Sequence, residues 1–552
     1  MTLSSCLCAV MIGLAVAGAA HAQTTFRDAS ATCGITFRHT DGSSGQRYIM
    51  ETIASGLGLI DYDNDGYLDI YFLNGAPLRG TPAPATPPTN ALYRNNGDGT
   101  FTDVTEKSGA GDPGYALGCA VADYDNDGDE DIYITNYGPN VLLRNNGDGT
   151  FTDVTQEAGV GDPSFGAGCS FLDYNRDGYV DLYSDNYLVF KYEDFKPCSR
   201  TGVPVYCDPR TYPPVPDILY RNNGDGTFTD VSMESGIGQY RGYGMGMVCS
   251  DFDLDGWTDI YVGNDVQENF LFHNKGDGTF EEIGLLAGVA YDLNGDEQGT
   301  MGVNAGDYDG DGWFDIIATD YQNQMSTLYR NVGGLQFQDV TLITGAGAGT
   351  LPLVTWACGF PDVDNDGVRE LFQAAGHLQD SVEQYDQSTT YKERNLLFKL
   401  QKNGTYLDIT EQSGEAMLVV KSSRGAVFGD LDNDGDIDTV VQNPRDTPTL
   451  MINECKNGNH WILVKLVGTK SNRSAIGALA YVTAGGKTQI DEVRSGRSYQ
   501  SAEDLRLHFG LGKSTVIDRI EIRWPSGMVD VLTNMPADQI VTIVEGSSPA
   551  KP

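Results

Sequence analysis

The 552-residue chain carries 77 Asp and Glu residues against 36 Lys and Arg residues, which gives a formal net charge of −41. This charge disfavours nucleic acids and anionic membranes as partners, because both repel a strongly acidic surface. A chain of this length is too long to fold around one small hydrophobic core, although many repeated units can together form one large domain. Aromatic residues make up 10% of the chain, which argues against a disordered acidic tail.

The N-terminal residues have the pattern of a secretory signal peptide, which we place at residues 1–22. An apolar stretch covers residues 7–20, and Ala20-His21-Ala22 forms a small-x-small cleavage site. The stretch has no Lys or Arg before it, and it is short for an uncleaved anchor, the alternative interpretation. No other apolar run approaches the ~20 residues that a membrane helix needs. We therefore expect a secreted, periplasmic or cell-surface protein without a membrane span.

Seven copies of an acidic nine-residue motif, D-x-D-x-D-G-x-x-D, dominate the rest of the chain. Side-chain oxygens at positions 1, 3, 5 and 9 can converge on a hard cation, and the Gly at position 6 allows a sharp turn. Calcium is favoured because the ligands are mostly carboxylates and include no His or Cys. The predicted ligands are Asp61, Asp63, Asp65 and Asp69; Asp123, Asp125, Asp127 and Asp131; Asp173, Asn175, Asp177 and Asp181; Asp251, Asp253, Asp255 and Asp259; Asp307, Asp309, Asp311 and Asp315; Asp362, Asp364, Asp366 and Glu370; and Asp430, Asp432, Asp434 and Asp438.

These motifs predict up to seven calcium sites whose main role is to hold the repeats together. An EF-hand is the competing interpretation, but its loop has twelve residues, a final Glu and flanking helices. Here the last acid stands at position 9 and a strand-like segment follows at once. Asn175 replaces an acid in the third motif, so we expect weaker binding there.

Each motif lies inside a unit of four predicted strands. In the first unit, residues 56–60 precede the motif and residues 68–73 follow it, and an Asn-Gly-Asp-Gly turn joins residues 92–95 to 101–105. Four short strands per repeat predict the blades of a β-propeller. The seventh unit lacks its last strand, but a spare copy, Phe26-Arg-Asp28, stands directly after the signal peptide. The predicted fold is therefore an all-β, seven-bladed propeller closed by its N-terminal strand.

The repeats resemble the FG-GAP/VCBS-type repeats of integrin α-subunit propellers. The C-terminal segment resembles an ASPIC/UnbV domain, through Asn457-Gly-Asn-His-Trp461, Lys470-Ser-Asn-Arg473, Ile476-Gly-Ala478, Val493-Arg-Ser-Gly496, Leu507-His-Phe-Gly-Leu-Gly512 and Trp524-Pro-Ser-Gly527. Together they resemble the cartilage acidic protein family and its bacterial relatives. The resemblance implies a propeller over residues 23–454, an ASPIC/UnbV domain over 455–545 and a tail over 546–552. Alternating residues from about 456 to 545 also predict a small antiparallel β domain.

A polar residue stands five positions after each motif, where the second strand ends on the face opposite the loops. These residues are Asn74, Asn136, Asn186, Asn264, Asp320 and Asn443, with His377 near the same place in the sixth repeat. They form either a ligand-binding ring around one mouth of the propeller or ordinary turn caps. We expect the insertions 76–89 and 188–216 on the same face.

The cysteines divide into three groups. Cys198 and Cys207 flank a short loop, and a disulfide is predicted between them in an oxidising compartment. Cys119, Cys169 and Cys358 occupy an apolar slot four residues before their motifs, so buried free thiols are expected. The states of Cys33 and Cys455 stay open.

The combined features predict a secreted calcium-binding module for adhesion to an extracellular protein or glycan. The alternative is a secreted lyase or hydrolase that acts on a polysaccharide at the mouth, with His39, Glu51, Glu297 and His377 as candidate groups. The resemblance implies no established reaction.

Overall fold

The computed structural model describes residues 25–53, 55–82 and 84–548, and the predicted signal peptide lies outside them. The fold is all-β, with 39% strand and 8% helix. Among the described residues, the model contains no helix with the length and apolar character that crossing a membrane requires.

The repeat region of the described chain forms seven sheets with a shared order of four antiparallel strands, which we number sheet 1 to sheet 7. Sheets 1 to 3 contain Leu57–Ile60, Asp69–Phe72, Ala91–Asn95 and Phe101–Asp103; Ala116–Ala122, Asp131–Asn136, Gly138–Asn145 and Phe151–Asp153; and Gly166–Leu172, Asp181–Asn186, Ile218–Asn222 and Phe228–Asp230. Sheets 4 to 6 contain Gly244–Ser250, Asp259–Gln267, Phe270–Asn274 and Phe280–Glu282; Val303–Gly306, Asp315–Ala318, Thr327–Asn331 and Phe337–Asp339; and Thr355–Gly359, Leu371–Ala375, Leu396–Leu400 and Tyr406–Asp408. Sheet 7 contains Ala426–Gly429, Asp438–Val441, Thr449–Asn453 and Phe26–Asp28.

The helices of the described chain are single turns in the connections. Four-residue α-helices are Met50–Ile53, Thr105–Ser108, Thr155–Ala158, Ser232–Ser235, Gly284–Ala287 and Thr341–Thr344, and 3-10 turns are Pro209–Thr211, Ile237–Gln239, Val382–Gln384, Thr410–Gln412 and Glu415–Leu418. Short strands outside the four-strand pattern pair as Cys198–Arg200 with Val203–Val205 and Glu393–Arg394 with Val420–Lys421, and Gln298–Gly299 joins sheet 4.

Burial along one sheet explains its sequence pattern. The first two strands of sheet 1, Leu57–Ile60 and Asp69–Phe72, are buried at every position, whereas the fourth strand, Phe101–Asp103, buries only Phe101. Neighbouring sheets cover both faces of the inner strands, so these strands are apolar on both sides. The outer strand instead exposes two of its three residues to solvent.

Neighbouring sheets are tied together by the Asn that ends most third strands. The Nδ2 of Asn145 donates to the carbonyl oxygen of Tyr62, the second residue of the preceding acidic loop, at 2.9 Å. The same bond joins Asn95 to Leu431, Asn222 to Tyr124, Asn274 to Tyr174, Asn331 to Phe252 and Asn453 to Val363. Leu400 takes the Asn position in the sixth repeat, so its side chain cannot donate this bond.

The N-terminal strand Phe26–Asp28 pairs antiparallel with Thr449–Asn453, with Phe26 opposite Asn453 and Asp28 opposite Met451. Phe26 is only 1% exposed. The strand therefore adds core as well as backbone hydrogen bonds to sheet 7.

The C-terminal residues form two sheets. One contains Lys487–Glu492, Leu479–Ala484, Val516–Arg523 and Val529–Pro536 in that order, and the other contains Leu507–Gly512, His460–Val467 and Gln539–Val544. The prediction of a small antiparallel β domain holds for most of these pairs, but His460–Val467 pairs in parallel with Gln539–Val544. Strand alternation fixes which face is apolar but not the direction of the partner strand.

Residues 494–504, which we call the central segment, leave the C-terminal domain and contact the first strand of all seven sheets. The segment contains the short strands Gly496–Arg497 and Ser501–Ala502, which join sheet 1. Its hydrogen-bond partners, from sheet 1 to sheet 7, are Leu57, Cys119 and Val121, Ser170, Ser250, Val303, Cys358 and Ala426. The seven first strands therefore surround this segment.

Tyr499 is the main side chain of the central segment in the core. It is fully buried, its hydroxyl donates to the carbonyl oxygen of Ile53 at 2.6 Å, and its ring lies 5.0 Å from that of Trp356. The neighbouring backbones leave no room for larger residues, since a Cβ on Gly496 would lie 1.7 Å from the carbonyl oxygen of Cys169. The repeat region and the C-terminal domain therefore share one core.

We expect Tyr499→Ala to lower the free energy of unfolding by about 3–5 kcal/mol, because it leaves a cavity where seven sheets meet. Tyr240→Ala is the matched control, since Tyr240 is 39% exposed, and it should cost about 1 kcal/mol or less. Urea unfolding followed by tryptophan fluorescence measures both. Equal effects of the two substitutions would contradict the shared core.

Candidate metal centres

Each acidic motif forms the loop between the first and second strands of its sheet. In sheet 1, the position-4 residue Asn64 has φ 55° and the position-6 residue Gly66 has φ 89°. Both positions are left-handed in all seven loops. Two left-handed residues turn the chain back on itself, and Gly adopts such a φ with the least strain.

The position-1 carboxylate organises the backbone of its own loop. In sheet 2, Asp123 Oδ1 accepts the Asp127 N–H at 3.0 Å and Asp123 Oδ2 accepts the Gly128 N–H at 2.8 Å. Each carboxylate oxygen has two acceptor sites, so these bonds leave lone pairs for a cation.

The position-9 carboxylate joins the loop to the third strand of the sheet. Asp131 is fully buried, its Oδ2 accepts the Tyr124 N–H at 3.0 Å, and its Oδ1 accepts the Asn145 N–H at 2.8 Å. Equivalent pairs of bonds reach Asp69, Asp181, Asp259, Asp315 and Asp438. In the sixth loop, Glu370 accepts one backbone N–H, that of Val363, at 3.0 Å. Position 9 therefore has a structural function in addition to any ligand role.

Oxygen ligands converge in several of these loops. In sheets 1, 2, 4, 5 and 6, three acidic side chains of one loop each place an oxygen within 4.8 Å of the other two. The Oδ1 atoms of the position-3 residues Asp63, Asp125 and Asp364 are buried and have no hydrogen-bond partner within the described chain. A hard divalent cation with oxygen ligands fits this donor set.

Burial and mutual repulsion raise the pKa of several carboxyl groups at positions 1 and 9 of the loops. Burial, followed by the neighbouring acids, raises the pKa of Asp123 to about 7 and that of Asp69 to about 8. The pKa of Asp131 is raised well above 3.8 for the same reasons. Without a cation, full ionisation of such a loop is costly, so a divalent cation would stabilise it.

Side chains from the third strand supply positive charge to some loops. Arg94 donates to Asp63 at 2.6 Å and to Asp65 at 2.7 Å, so it pairs with positions 3 and 5. Arg330 makes the same two contacts in sheet 5, with Asp309 and Asp311. These arginines leave the position-9 carboxylate free of a direct ion pair.

Lys399 occupies the sixth loop differently. Its Nζ lies 2.5 Å from Asp364 Oδ2, 2.9 Å from Asp366 Oδ2 and 3.0 Å from Glu370 Oε1. These are positions 3, 5 and 9, so the ammonium group contacts three of the four predicted ligands. The sequence analysis did not predict that Lys399 contacts the acidic loop, although Lys399 stands where the third strands of other repeats have an Arg.

The C-terminal domain packs against several of the loops. Its contacts pair Ser474 with Asp123, Glu492 with Asp251, Asn459 with Asp364 and Arg506 with Asp430. Most of these bonds involve loop backbone atoms, so the shape of each loop determines whether they form. The loop face of the repeat region is therefore partly covered by the C-terminal domain.

The residues predicted to form a polar ring are buried. This holds for Asn74, Asn136, Asn186, Asn264, Asp320, His377 and Asn443. Asn264, for example, is 0% exposed, and it donates from Nδ2 to the Glu268 carbonyl at 2.8 Å and from its backbone N–H to Asn269 Oδ1 at 2.8 Å. Of the two interpretations of these residues, ordinary turn caps fit this burial, because the residues close the turn after the second strand.

The candidate catalytic groups are also mostly buried. His39 and His377 are 2% and 1% exposed, and burial is the main cause that lowers the pKa of both to about 3. Glu51 is buried and accepts hydrogen bonds from the Tyr48 N–H and from a tyrosine hydroxyl. Only Glu297 has a substantially exposed side chain. Both histidines are therefore neutral near pH 7 and enclosed.

Cys198 and Cys207 form a disulfide with a Cα–Cα distance of 5.4 Å. The other cysteines of the described chain are buried free thiols, namely Cys33, Cys119, Cys169, Cys249, Cys358 and Cys455. Burial is the main cause that raises the pKa of Cys119 and of Cys455 to about 12, so both are protonated.

The raised carboxyl pKa values predict how calcium stabilisation depends on pH. The folded metal-free protein keeps protons on Asp123 and Asp69 up to about pH 7 and 8, whereas the unfolded chain releases them near 3.8. Its free energy of unfolding therefore falls as pH rises through this window. A bound calcium ion would replace the protons, so the increase in Tm on adding calcium should be larger at about pH 8 than at about pH 5. Calorimetry with calcium or EDTA at both pH values measures it, with magnesium as the control ion. A calcium effect that shrinks with pH would contradict the prediction.

Comparison with known proteins identifies both parts of the chain. The FG-GAP-like repeat family matches residues 61–134, 123–184, 213–262, 251–318 and 307–373, and the ASPIC and UnbV family matches residues 468–550. Cartilage acidic protein 1 of Homo sapiens is 27% identical over 329 residues, covering 57% of this chain and 46% of that protein. The Mus musculus protein is 26% identical, covering 57% and 47%. The chain thus spans under half the length of these curated relatives.

Solved structures with a related arrangement are more distant. A rhamnogalacturonan lyase of Bacillus licheniformis is 13% identical with a TM-score of 0.36, covering 72% of this chain and 71% of that chain. A lectin of Agrocybe aegerita that recognises terminal N-acetylglucosamine is 16% identical with a TM-score of 0.34, covering 64% and 79%. The family matches confirm the resemblance drawn from the sequence motifs: the chain belongs to the FG-GAP-like repeat family and carries an ASPIC and UnbV domain.

Proposed function

We propose that the chain is a secreted calcium-binding module that attaches to an extracellular protein or glycan. In this proposal, residues 1–22 are a signal peptide, 23–454 a seven-bladed propeller, 455–545 the ASPIC/UnbV domain and 546–552 a tail. The observation that carries the proposal is the recurrence of converging, partly buried carboxylates in one loop after another. Such loops serve a calcium-stabilised scaffold, because the same arrangement in many repeats does not single out one reaction centre.

Three contacts support closure of the seven sheets into a ring. The first strand of the described chain completes sheet 7. Asn95 of sheet 1 donates to the Leu431 carbonyl of sheet 7 at 2.7 Å, as its equivalents do between other neighbours. Asn433 of sheet 7 donates to the Gly66 carbonyl of sheet 1 at 3.0 Å. A closed ring also removes exposed sheet edges.

Up to seven calcium ions would bind at positions 1, 3, 5 and 9 of the loops. The position-3 oxygens without partners and the raised carboxyl pKa values support this assignment. Two loops depart from the others. Asn175 hydrogen bonds to Asp177 in the third loop, and Lys399 contacts three acids in the sixth. We therefore assign the weakest sites to these two loops.

The alternative of a polysaccharide lyase or hydrolase receives no support from the site geometry. His39, Glu51 and His377 are enclosed and bonded within the protein, and Glu297 lies in contact with Arg210. General acid–base catalysis needs groups that reach the substrate directly or through one water. We do not propose an enzyme.

Replacement of Lys399 should strengthen cation binding at the sixth loop. Lys399→Met removes the ammonium group from Asp364, Asp366 and Glu370. Carboxylates freed of a competing cation bind calcium more tightly, so the variant should retain a further calcium ion per chain at limiting free calcium. Equilibrium dialysis with elemental analysis measures this. Lys402→Met is the matched control, because Lys402 lies on the exposed turn beyond the same strand. Unchanged calcium content in Lys399→Met would contradict the assignment.

The binding role is tested by probing arrays of extracellular glycans and proteins with the mature chain, in calcium and in EDTA. We expect saturable binding that calcium sustains, because the ions hold the scaffold in its folded form. Soluble products from the bound glycans are measured in parallel. Release of cleaved products, or equal binding by the heat-denatured chain, would contradict a binding module.

A further inference from the structure

An exposed apolar patch lies on the rim of sheets 4 and 5. Leu285 and Leu286 are 69% and 75% exposed, and Leu342 and Ile343 are 66% and 75% exposed. Leu293, on the connection between these two sheets, is 62% exposed. Five large apolar side chains in water oppose solubility without adding to the core, and such patches mark interaction sites. We call these five residues the rim patch.

The rim patch occupies positions that are polar in the first, second and sixth repeats, whereas the third repeat has Met233-Glu234 there. The single-turn helix after each fourth strand carries Glu106-Lys107 in the first repeat, Gln156-Glu157 in the second and Glu411-Gln412 in the sixth. The fourth and fifth repeats have Leu285-Leu286 and Leu342-Ile343 at the same two helix positions. The fold therefore accepts charged side chains here, and packing does not explain the leucines.

Hydrogen bonds bring the parts of the patch together. The Leu293 N–H donates to Asp339 Oδ2 at 2.8 Å, and Asp339 Oδ1 accepts the Thr341 N–H at 2.9 Å, next to Leu342. The Leu286 carbonyl accepts from Gln336 Nε2 of sheet 5 at 3.5 Å. The helix of the fourth repeat thus contacts sheet 5, and Leu293 lies beside the helix of the fifth.

The charges near the rim patch indicate which class of partner would bind it. Residues 268–299 and 332–353 contain eight Asp and Glu residues and one Lys, and the whole chain has a net charge of −41. A second copy of the chain or an anionic lipid surface would place like charges together. A segment with apolar side chains on one side and Lys or Arg beside them would complement both features.

From this exposure, repeat comparison and charge, we infer that the rim patch docks a cationic amphipathic polypeptide segment. The apolar side chains of the rim patch pack against the apolar side of the partner, and the nearby Asp and Glu residues pair with its basic side chains. The inference rests on the proposed role as a binding module and assigns that role a surface and a class of partner. The two broad faces are less available, since the C-terminal domain and the long connections cover parts of them.

The test uses substitutions that the first repeat already carries. Leu285→Glu with Leu286→Lys copies Glu106-Lys107 into the fourth repeat and leaves the net charge unchanged. Leu342→Glu with Ile343→Lys does the same in the fifth. Glu106→Lys with Lys107→Glu is the charge-neutral control outside the patch. The Tm and the calcium content of each variant are measured first, so a failure of the scaffold is distinguished from a failure of docking.

The probe is a synthetic helical peptide with Leu on one face and Lys on the other, followed by fluorescence anisotropy in calcium at physiological salt. Each double substitution in the patch should weaken binding about ten-fold or more, and the control should bind like the native chain. A matched Leu/Glu peptide should bind far more weakly. Equal binding by native and patch variants would overturn the inference. The inference would also be overturned if the native chain bound phosphatidylcholine vesicles more strongly than it binds the peptide. It would likewise be overturned if the native chain self-associated and the patch substitutions alone abolished that self-association.

Discussion

The structure depends on the passage of residues 494–504 through the middle of the seven repeat sheets. Ser498 illustrates the constraint, since its backbone exchanges two hydrogen bonds with Val303, at 2.7 and 2.9 Å, while its hydroxyl contacts Cys358 and Ala426. One residue therefore satisfies groups from three sheets. The first strands of small β-repeats crowd together at their centre, and their inward backbone groups need partners. The central segment supplies these partners, so the C-terminal domain is part of the core that it completes.

The loops and the C-terminal domain are consequently coupled. The Asp123 and Asp251 backbones hydrogen bond to Ser474 and Glu492, and the Asp430 carbonyl accepts from Arg506. These bonds need the loop backbone in one conformation, which the position-1 carboxylate and any bound cation stabilise. We therefore expect the charge state of a loop to affect the hydrogen bonds between that loop and the C-terminal domain. Arg369 strengthens the coupling near the sixth loop, where it pairs with Asp491 of the C-terminal domain at 2.8 Å.

The sequence predicted the features that depend on local spacing. The Gly at position 6 of the acidic motif predicted the sharp turn of each loop, and the strand-like residues around the Asn-Gly-Asp-Gly turns predicted the outer hairpins. Features that depend on distant partners were not predictable in this way. The bond from Asn145 to Tyr62 joins residues that no periodicity relates. The central segment is a mostly polar stretch with one Tyr, so its sequence does not indicate burial. Lys399 resembled a surface side chain because its partners come from a loop 29 to 35 residues earlier. The strand-end Asn residues were ambiguous for a different reason, since one residue type serves both turns and ligands.

The sequence separation between the central segment and the first repeat has a consequence for biogenesis. Gly58 of the first repeat pairs with Ala502, and Phe26 pairs with Asn453, so both residues find their partners only after the intervening repeats are made. Contacts of such high sequence separation slow folding, because the connecting chain must be ordered before they form. A nascent polypeptide that does not yet include residues 494–504 would expose seven crowded strands without their shared partner. Such an intermediate is prone to aggregation, and a folding assistant that shields it would act before the central segment is made.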